Sequence, residues 1–241
     1  MIPLQVRELG LVPYLEAWEL QKRLAAERAV DSIPDTLLLL EHPHTYTFGR
    51  SGQRTNLLWN EVECAARGIE LHWVDRGGDI TYHGPGQIVG YPILKLGTPD
   101  AANGRLPHTD YVGYMRSLED MLIRVLLRYG IVAGQLHGIT GVFVQPDVAS
   151  RCPHCPPSAK LSPSKIAQIG VKVDARGVSQ HGFALNVAPD MSYFEGIIGC
   201  GLREHAPISM ADLLAAPPDP ASVRSAVVEE FARSLEREML P

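Results

Sequence analysis

One cysteine in this 241-residue chain stands between two glycines, Gly199 and Gly201, at the end of an apolar stretch. Cysteine attacks as the thiolate, and because the pKa of a free thiol is about 8.5, a nearby cation is needed at neutral pH. Lysine is scarce, and Lys165 opens an otherwise apolar extended segment, which favours a side chain held inward. Cys200 and Lys165 could therefore form a nucleophilic pair, with the glycines leaving room for a bulky thioester. Alternatively, Cys200 is a small buried hydrophobe and Lys165 a surface charge at a strand end.

A glycine-rich stretch, RGGDITYHGPGQIVGYPI, occupies residues 76–93. Five glycines are costly to order, because glycine loses the most backbone freedom on folding. The stretch has no Lys-Ser or Lys-Thr after its last glycine, so it is not a Walker phosphate loop. It continues into an extended segment and not a helix, which excludes a dinucleotide fingerprint. Two interpretations stay open: a loop that presses its backbone against a linear ligand, or a hairpin without a ligand.

The same stretch resembles the signature of the octanoyltransferases, also called lipoate-protein ligase B. The family pattern is RGG, two variable residues, Thr, an aromatic, His, two variable residues, Gly or His, Gln, and Tyr after three more. These places are filled by Arg76, Gly77, Gly78, Thr81, Tyr82, His83, Gly86, Gln87 and Tyr91. Three further family blocks resemble residues 165–171, 181–187 and the FEGIIGCG segment that contains Cys200. The likeness extends over most of residues 5–215.

This resemblance implies a Cys–Lys acyltransferase without a metal or a cofactor of its own. Cys200 would take the octanoyl group as a thioester, and Lys165 would favour the thiolate and accept the proton of the incoming amine. The resemblance also implies a set of substrate-binding residues around the acyl chain. They are Arg76, Gly77, Gly78, Asp79, Ile80, Thr81, Tyr82, His83, Gln168, Ile169, Gly170, Gly182, Phe183 and Ala184.

The implied partners are octanoyl-acyl carrier protein as donor, whose phosphopantetheine arm carries the acyl group, and lipoyl domains as acceptors. Those acceptors are the E2 subunits of 2-oxoacid dehydrogenases and the glycine cleavage H protein. A net charge of -5 argues against a surface that binds nucleic acid. Arg50, Arg54 and Arg76 are candidates to attract the acidic carrier. The sequence shows no secretory signal, no apolar run of membrane length and four scattered cysteines, so we expect a cytoplasmic protein without a membrane partner.

Hydrophobic patterning predicts an α+β fold with a mixed, mostly antiparallel sheet flanked by helices. Pro13 is expected to open a helix, and Asp110 and Gly130 to bound another. The apolar run 36–42 is predicted to be a buried strand. Extended segments are predicted at 141–144, 165–173 and 178–187, followed by a closing helix along Val223, Val227, Phe231 and Leu235. The resemblance implies one domain over 1–241, like the catalytic domain of biotin and lipoate protein ligases.

Residues 145–164 are rich in proline and serine and are predicted to be an irregular surface loop, inserted before Lys165. They contain Cys152 and Cys155 with His154 between them, a pair that supplies only two zinc ligands. Metal or redox chemistry and a variable insertion are both possible interpretations of this segment.

Two histidines, His83 and His181, precede glycines and could suggest a Cys–His dyad, but each is more simply a structural histidine that lines the pocket. Other functions also stay open. An ATP-dependent lipoate or biotin protein ligase would need no catalytic cysteine. A non-catalytic acyl-binding module would be expected to lack Cys200 or Lys165. A cysteine hydrolase would need a Cys–His–Asn arrangement that the sequence does not display.

Overall fold

Two β-sheets form the framework of the protein. The computed structural model describes residues 2–100, 110–153, 155–201 and 205–240, with Cys200 described by its backbone alone. Within these residues, eight strands form a large sheet in the order β11-β1-β2-β6-β10-β9-β8-β7, and three form a small sheet in the order β4-β3-β5. The strands are β1 (Ile2–Leu11), β2 (Asp35–Glu41), β3 (Thr45–Phe48), β4 (Glu70–Trp73), β5 (Ile80–His83), β6 (Gln87–Ile93), β7 (Gly134–Leu136), β8 (Ile139–Val144), β9 (Ser164–Val173), β10 (Ser179–Asn186) and β11 (Arg237–Met239).

Six α-helices in the described residues pack around these sheets. They are α1 (Tyr14–Ala29), α2 (Glu61–Ala66), α3 (Tyr111–Arg128), α4 (Pro146–Ala149), α5 (Met210–Leu213) and α6 (Pro220–Ser234). Short 3-10 turns also occur. The turn Met191–Gly196 precedes the segment of Cys200, and the turn Gly199–Gly201 includes the Cys200 backbone. Within the described part of the chain, no helix has the length and apolar character that a membrane crossing would need.

The central strand β2 shows why the sequence folds into layers. Its leucines alternate between two cores: Leu37 and Leu39 pack with α3 and α6, and Leu38 and Leu40 pack with α1. A strand buried on both faces needs a continuous apolar run, which explains the unbroken TLLLL of its sequence. At about 25 cal/mol per Å² of buried apolar surface, these two cores supply the main stabilisation of the fold.

Strand pairing confirms the predicted fold class. In the large sheet, β1 pairs in parallel with β2 and β11, and the other neighbours are antiparallel. The bounds predicted for α3 are also confirmed: the Asp110 side chain accepts the Gly113 N–H at 2.7 Å, and Gly130 ends the turn with φ +74°. Glycine at such a position avoids the strain that a β-carbon would cause.

Residues 145–164 contain α4 and a 3-10 turn, Pro157–Lys160. The segment is attached to the main core, because Ala149, Cys155 and Ala159 are buried there. It leads directly into β9, whose second residue is Lys165. The proline-rich stretch therefore has a packed inner side next to the strand that carries the predicted catalytic lysine.

Candidate active site

A narrow cavity of about 40 Å³, called here the slot, lies between the α1-covered face of the large sheet and strand β5 of the small sheet. Ten of the fourteen residues that the sequence assigns to substrate binding line it. Its walls are Tyr14, Arg76, Gly78, Thr81, His83, Tyr91, Gln168, Ile169, Gly170, His181, Gly182, Phe183 and Ala184. Tyr14 comes from α1, far from the glycine-rich stretch in sequence, and was not among the predicted site residues.

The alternation of strand β5 separates two of the four remaining candidates from the slot. Thr81 and His83 face the slot, whereas Ile80 and Tyr82 are buried in the core beneath the small sheet. Successive side chains of a strand point to opposite faces, so consecutive motif residues cannot share one wall. Gly77 lies outside the slot lining, and its N–H donates to the Val171 carbonyl oxygen at 3.0 Å.

Arg76 holds the glycine-rich loop in place. Its buried guanidinium donates to the Thr47 carbonyl oxygen at 2.6 Å, to the Asp79 carbonyl oxygen at 2.7 Å and to the Gly77 carbonyl oxygen at 2.9 Å. This fork of donors suits several fixed acceptors at once. Because Arg76 is only 7% exposed, it is not part of a docking surface for an acidic carrier.

Several glycines of the signature leave room for the protein itself. A β-carbon on Gly90 would lie 2.1 Å from the Phe183 ring, and one on Gly182 would lie 2.2 Å from the Gly90 carbonyl oxygen. These contacts join β6 to β10 at the slot wall. Part of the glycine pattern therefore allows β6, β10 and the Phe183 ring to pack closely. Gly78 and Gly170, and again Gly182, border the slot itself.

A second, wider cavity of about 270 Å³ adjoins the slot. Thr81 and Gln168 line both spaces, so the two cavities meet at these side chains. Lys165 and Gly199, the residue before Cys200, line the wider cavity, called here the reaction cavity. The Gln168 Oε1 atom is buried and accepts no hydrogen bond from the described residues. A buried acceptor of this kind is costly unless a bound molecule supplies a donor.

Lys165 is turned into the reaction cavity by an irregularity of strand β9. Val142 pairs with Ala167 but Phe143 pairs with Lys165, so β9 carries one extra residue, Ile166. Such a bulge re-aims a side chain and is frequent beside active sites. Lys165 is 6% exposed, and its Nζ donates to the Thr140 carbonyl oxygen at 3.1 Å.

The turn Gly199–Gly201 is attached to the glycine-rich loop. Ile198 N–H donates to the Asn56 carbonyl oxygen at 2.8 Å, and the Asn56 side chain donates to the Asp79 carboxylate. Asp79 Oδ2 lies 3.2 Å from the point that a β-carbon on Gly201 would occupy. The Cys200 thiol lies outside the described residues. Its backbone is nonetheless anchored between the signature loop and the cavity that contains Lys165.

Buried histidines border the slot and are held neutral. Burial lowers the pKa of His83 well below its usual value, and it lowers the pKa of His181 although Asp75 opposes this effect. His181 Nε2 lies 2.8 Å from Asp75 Oδ1, and its backbone adopts the left-handed region with φ +56°. Strained backbone of this kind is concentrated at functional sites. These contacts fix the His181 ring as part of the wall.

Acid should destabilise the protein through a third histidine, His42. Its Nδ1–H donates to the Val12 carbonyl oxygen and its Nε2 accepts from the Tyr91 hydroxyl, both at 2.7 Å. Burial lowers the pKa of His42 from 6.5 to about 4. Between these values the unfolded chain binds more protons, so the free energy of unfolding decreases as the pH falls, by about 2 kcal/mol from pH 6.5 to about pH 5. Chemical denaturation at several pH values should show this slope, and His42→Gln should reduce it; an unchanged slope would contradict the assignment.

The cysteine pair of residues 145–164, which precede Lys165 in the sequence, forms hydrogen bonds to α5, which follows it. The thiols of Cys152 and Cys155 donate to the same Asp212 carbonyl oxygen, at 3.2 and 3.5 Å. Burial, together with Cys152, raises the pKa of Cys155 to about 12, so this residue is a thiol at neutral pH. His154 lies outside the described residues, and within them no third His, Cys, Asp or Glu completes a metal-binding group. The thiols act here as donors that attach the segment to α5.

Comparison with known proteins identifies the family to which this site belongs. The profile of the lipoyl protein ligase A/B catalytic domain matches residues 13–232. An octanoyltransferase of Chloroflexus aurantiacus is 42% identical over 231 residues, which cover 96% of this chain and 93% of the relative. The chain belongs to the octanoyltransferases of the lipoyl protein ligase A/B family. An octanoyltransferase of Rubrobacter xylanophilus is likewise 42% identical over 234 residues, covering 96% and 94% of the two chains.

Solved structures agree with this fold. The bipartite lipoate protein ligase of Thermoplasma acidophilum, described with its E2 lipoyl domain, has a TM-score of 0.66 at 16% identity, covering 99% of this chain and 85% of the solved chain. At that identity the likeness concerns the fold, and it confirms the predicted ligase-like architecture. The octanoyltransferase relatives show that the protein is a transferase of lipoate biosynthesis that moves octanoyl groups.

Proposed function

We propose that this octanoyltransferase takes the octanoyl group from octanoyl-acyl carrier protein onto Cys200 and passes it to a lysine of a lipoyl domain. One observation carries the proposal. Lys165 and the residue before Cys200 line a single cavity, and this cavity shares two wall residues, Thr81 and Gln168, with the narrow slot bordered by the signature residues. The reaction takes place at the wide end, and the acyl chain lies toward the narrow end.

The reaction proceeds in two acyl transfers, and neither of them needs ATP. The Cys200 thiolate attacks the donor thioester, the pantetheine sulfur leaves as a thiol, and a thioester forms on the enzyme. The ε-amine of the acceptor lysine then attacks this thioester, and the Cys200 sulfur leaves. Lys165 stabilises the thiolate as an ammonium in the first transfer and accepts the amine proton in the second. Thioester exchange is nearly level in free energy, and amide formation from a thioester is downhill.

The burial of Lys165 supports this role. Its Nζ has one hydrogen-bond acceptor in the described residues, the Thr140 carbonyl oxygen, and faces the ring of Phe143 at 5.1 Å. No carboxylate of the described residues forms an ion pair with it. A cation without a carboxylate partner in a mostly buried place is expected to favour a nearby thiolate.

Acceptor and donor would dock where the reaction cavity opens. The bipartite ligase of Thermoplasma acidophilum is described together with an E2 lipoyl domain, which supports lipoyl domains as acceptors here as well. Arg50 and Arg54 are exposed and remain the candidates to attract an acidic carrier protein. Arg54 is paired with Glu61 at 2.9 Å, but both groups are exposed, so the pair is weak. We place the reaction in the cytoplasm, where acyl carrier protein is available.

Filling the slot should change the acyl-chain preference. Ala184 is 2% exposed and contributes a small side chain to the slot wall. Octanoyl has four more CH₂ groups than butyryl, and their burial gives about 3 kcal/mol, or roughly a hundredfold preference for the longer chain. Ala184→Leu should remove most of that preference, measured as the ratio of kcat/KM for octanoyl- and butyryl-loaded carrier.

The ratio of two donors on one variant is the control, because a partly unfolded enzyme would lose both activities equally. Thermal unfolding of Ala184→Leu should accompany the measurement, since overpacking a core commonly costs about 1–3 kcal/mol. A variant that is folded and keeps the wild-type ratio would show that the octanoyl chain lies elsewhere.

A further inference from the structure

Glu119 is a buried carboxylate that the reaction described above does not use. It lies in α3 with no exposed surface, beside the core residues Leu118 and Leu122. Its Oε2 pairs with Arg116 Nη1 at 2.5 Å, and its Oε1 accepts the Gly141 N–H at 2.8 Å. Burying a carboxylate is costly unless it is paired and hydrogen-bonded. The cost indicates that the position of this charge matters.

The Gly141 N–H belongs to the same peptide group as the Thr140 carbonyl. That carbonyl oxygen is the acceptor for Lys165 Nζ, at 3.1 Å. A trans peptide directs its N–H and its C=O to opposite sides. One rigid peptide group therefore stands between the carboxylate of Glu119 and the ammonium of Lys165, with a hydrogen bond at each end.

The Glu119 carboxylate, the dipole of the Thr140–Gly141 peptide and the Lys165 ammonium are arranged so that each attracts the next. The negative Glu119 attracts the N–H end of the peptide, which increases the negative charge on its oxygen, and that oxygen faces the positive lysine. Hydrogen bonds in such a chain polarise one another, and the effect is larger in a poorly solvated interior than in water. Hydrogen bonds to charged groups are also stronger than neutral ones.

Gly141 fits this arrangement sterically. Its φ of +132° lies in a region that side chains disfavour, and a β-carbon there would lie 3.1 Å from Lys165 Cε and 3.3 Å from Lys165 Nζ. The absent side chain lets the lysine lie along the peptide that Glu119 holds. Sequence, backbone conformation and hydrogen bonds thus agree on one position for the amine.

We propose that Glu119 is a positioning residue that acts on Lys165 through the Thr140–Gly141 peptide and holds the amine in place in the reaction cavity. The proposal rests on the proposed role of Lys165 in catalysis. Arg116 faces Glu119 from α3, and His205 shares the reaction cavity with Lys165. The effect of Glu119 is measured through the alkylation of the Cys200 thiol.

The test replaces the charge and keeps the shape. In Glu119→Gln the amide oxygen can still accept the Gly141 N–H, so the peptide stays in place while the charge is lost. The thiolate–ammonium pair becomes less favourable, and alkylation of Cys200 by iodoacetamide at pH 7 should be about fivefold slower, with its pH profile moved to higher pH. Octanoyl transfer should fall by a similar factor.

A matched control is available on the next residue of the same helix. Asp120 is exposed and accepts from Gln135 Nε2 at 2.9 Å, so Asp120→Asn makes the same chemical change without a link to Lys165. This variant should keep the wild-type alkylation profile. Thermal unfolding of both variants separates a loss of charge from a loss of fold.

Each outcome decides the proposal. A folded Glu119→Gln with the wild-type alkylation profile would overturn it, as would a slower transfer without any change in that profile, which would indicate a structural role alone. If the wild-type enzyme forms no acyl-enzyme, the proposed function fails. The alkylation profiles of Glu119→Gln and Lys165→Met would still show whether the carboxylate acts on the lysine.

Discussion

Replacing Lys165 by methionine should lower the rate of octanoyl transfer by about 10²–10⁴-fold, the range expected when a general acid–base group is lost. Methionine fills a similar volume, so the bulge of β9 and the packing on Phe143 should survive. The loss arises twice, because the thiolate of Cys200 loses its cation and the incoming amine loses its proton acceptor. Transfer is measured with octanoyl-loaded carrier and an isolated lipoyl domain.

A control at another lysine separates this effect from a general loss of positive charge. Lys22 is 40% exposed and pairs with Glu19 on the surface of α1, so Lys22→Met should leave the rate unchanged. The alkylation of Cys200 should also move to higher pH in Lys165→Met. If that variant transferred octanoyl groups at the wild-type rate, Lys165 would have no part in proton transfer.

Replacing Cys200 by serine should reduce the transfer by at least about 10³-fold, because a hydroxyl is much weaker as a nucleophile at neutral pH than a thiolate. The same variant distinguishes the proposed reaction from that of an ATP-dependent ligase. A ligase activates a free acid and needs no cysteine, so it would keep its activity in Cys200→Ser when octanoate and ATP are supplied.

Cys64 provides the matched control for this substitution. It is a fully buried thiol of α2 that donates to the Trp59 carbonyl oxygen, a contact that serine can also make. Cys64→Ser should therefore retain activity. Full activity of Cys200→Ser, with or without ATP, would exclude a covalent intermediate on this residue.

The sequence could predict those parts of the fold that local patterns determine. The apolar spacing and the two boundary residues of α3 indicated a helix that the structure confirms. The leucine run of β2 likewise indicated a buried strand. For α3 the helical period of 3.6 residues decides which side chains enter the core, and for β2 the unbroken apolar run marks a strand that is buried on both faces.

The parts that depend on distant segments could not be predicted in this way. Tyr14 enters the slot from α1, and no local feature of the sequence marks it as a wall residue. The link from Glu119 to Lys165 depends on a peptide between two other residues, and its only sequence signal is an acidic residue on the apolar face of a helix.

The signature itself was informative but coarser than the structure. A motif names consecutive residues, whereas the alternation of β5 directs Thr81 and His83 toward the slot and Ile80 and Tyr82 into the core. Arg76, which the sequence also offered as a docking charge, is used to hold the loop. The motif therefore combines residues of the site with residues that build it.

The most direct measurement is the intact mass of the enzyme after incubation with octanoyl-loaded acyl carrier protein, without a lipoyl domain. The proposed reaction predicts one added octanoyl group, located at Cys200 by peptide mapping, removed by hydroxylamine and lost when a lipoyl domain is added. An enzyme that transfers octanoyl groups but shows no adduct, or shows one at a different residue, would contradict the account.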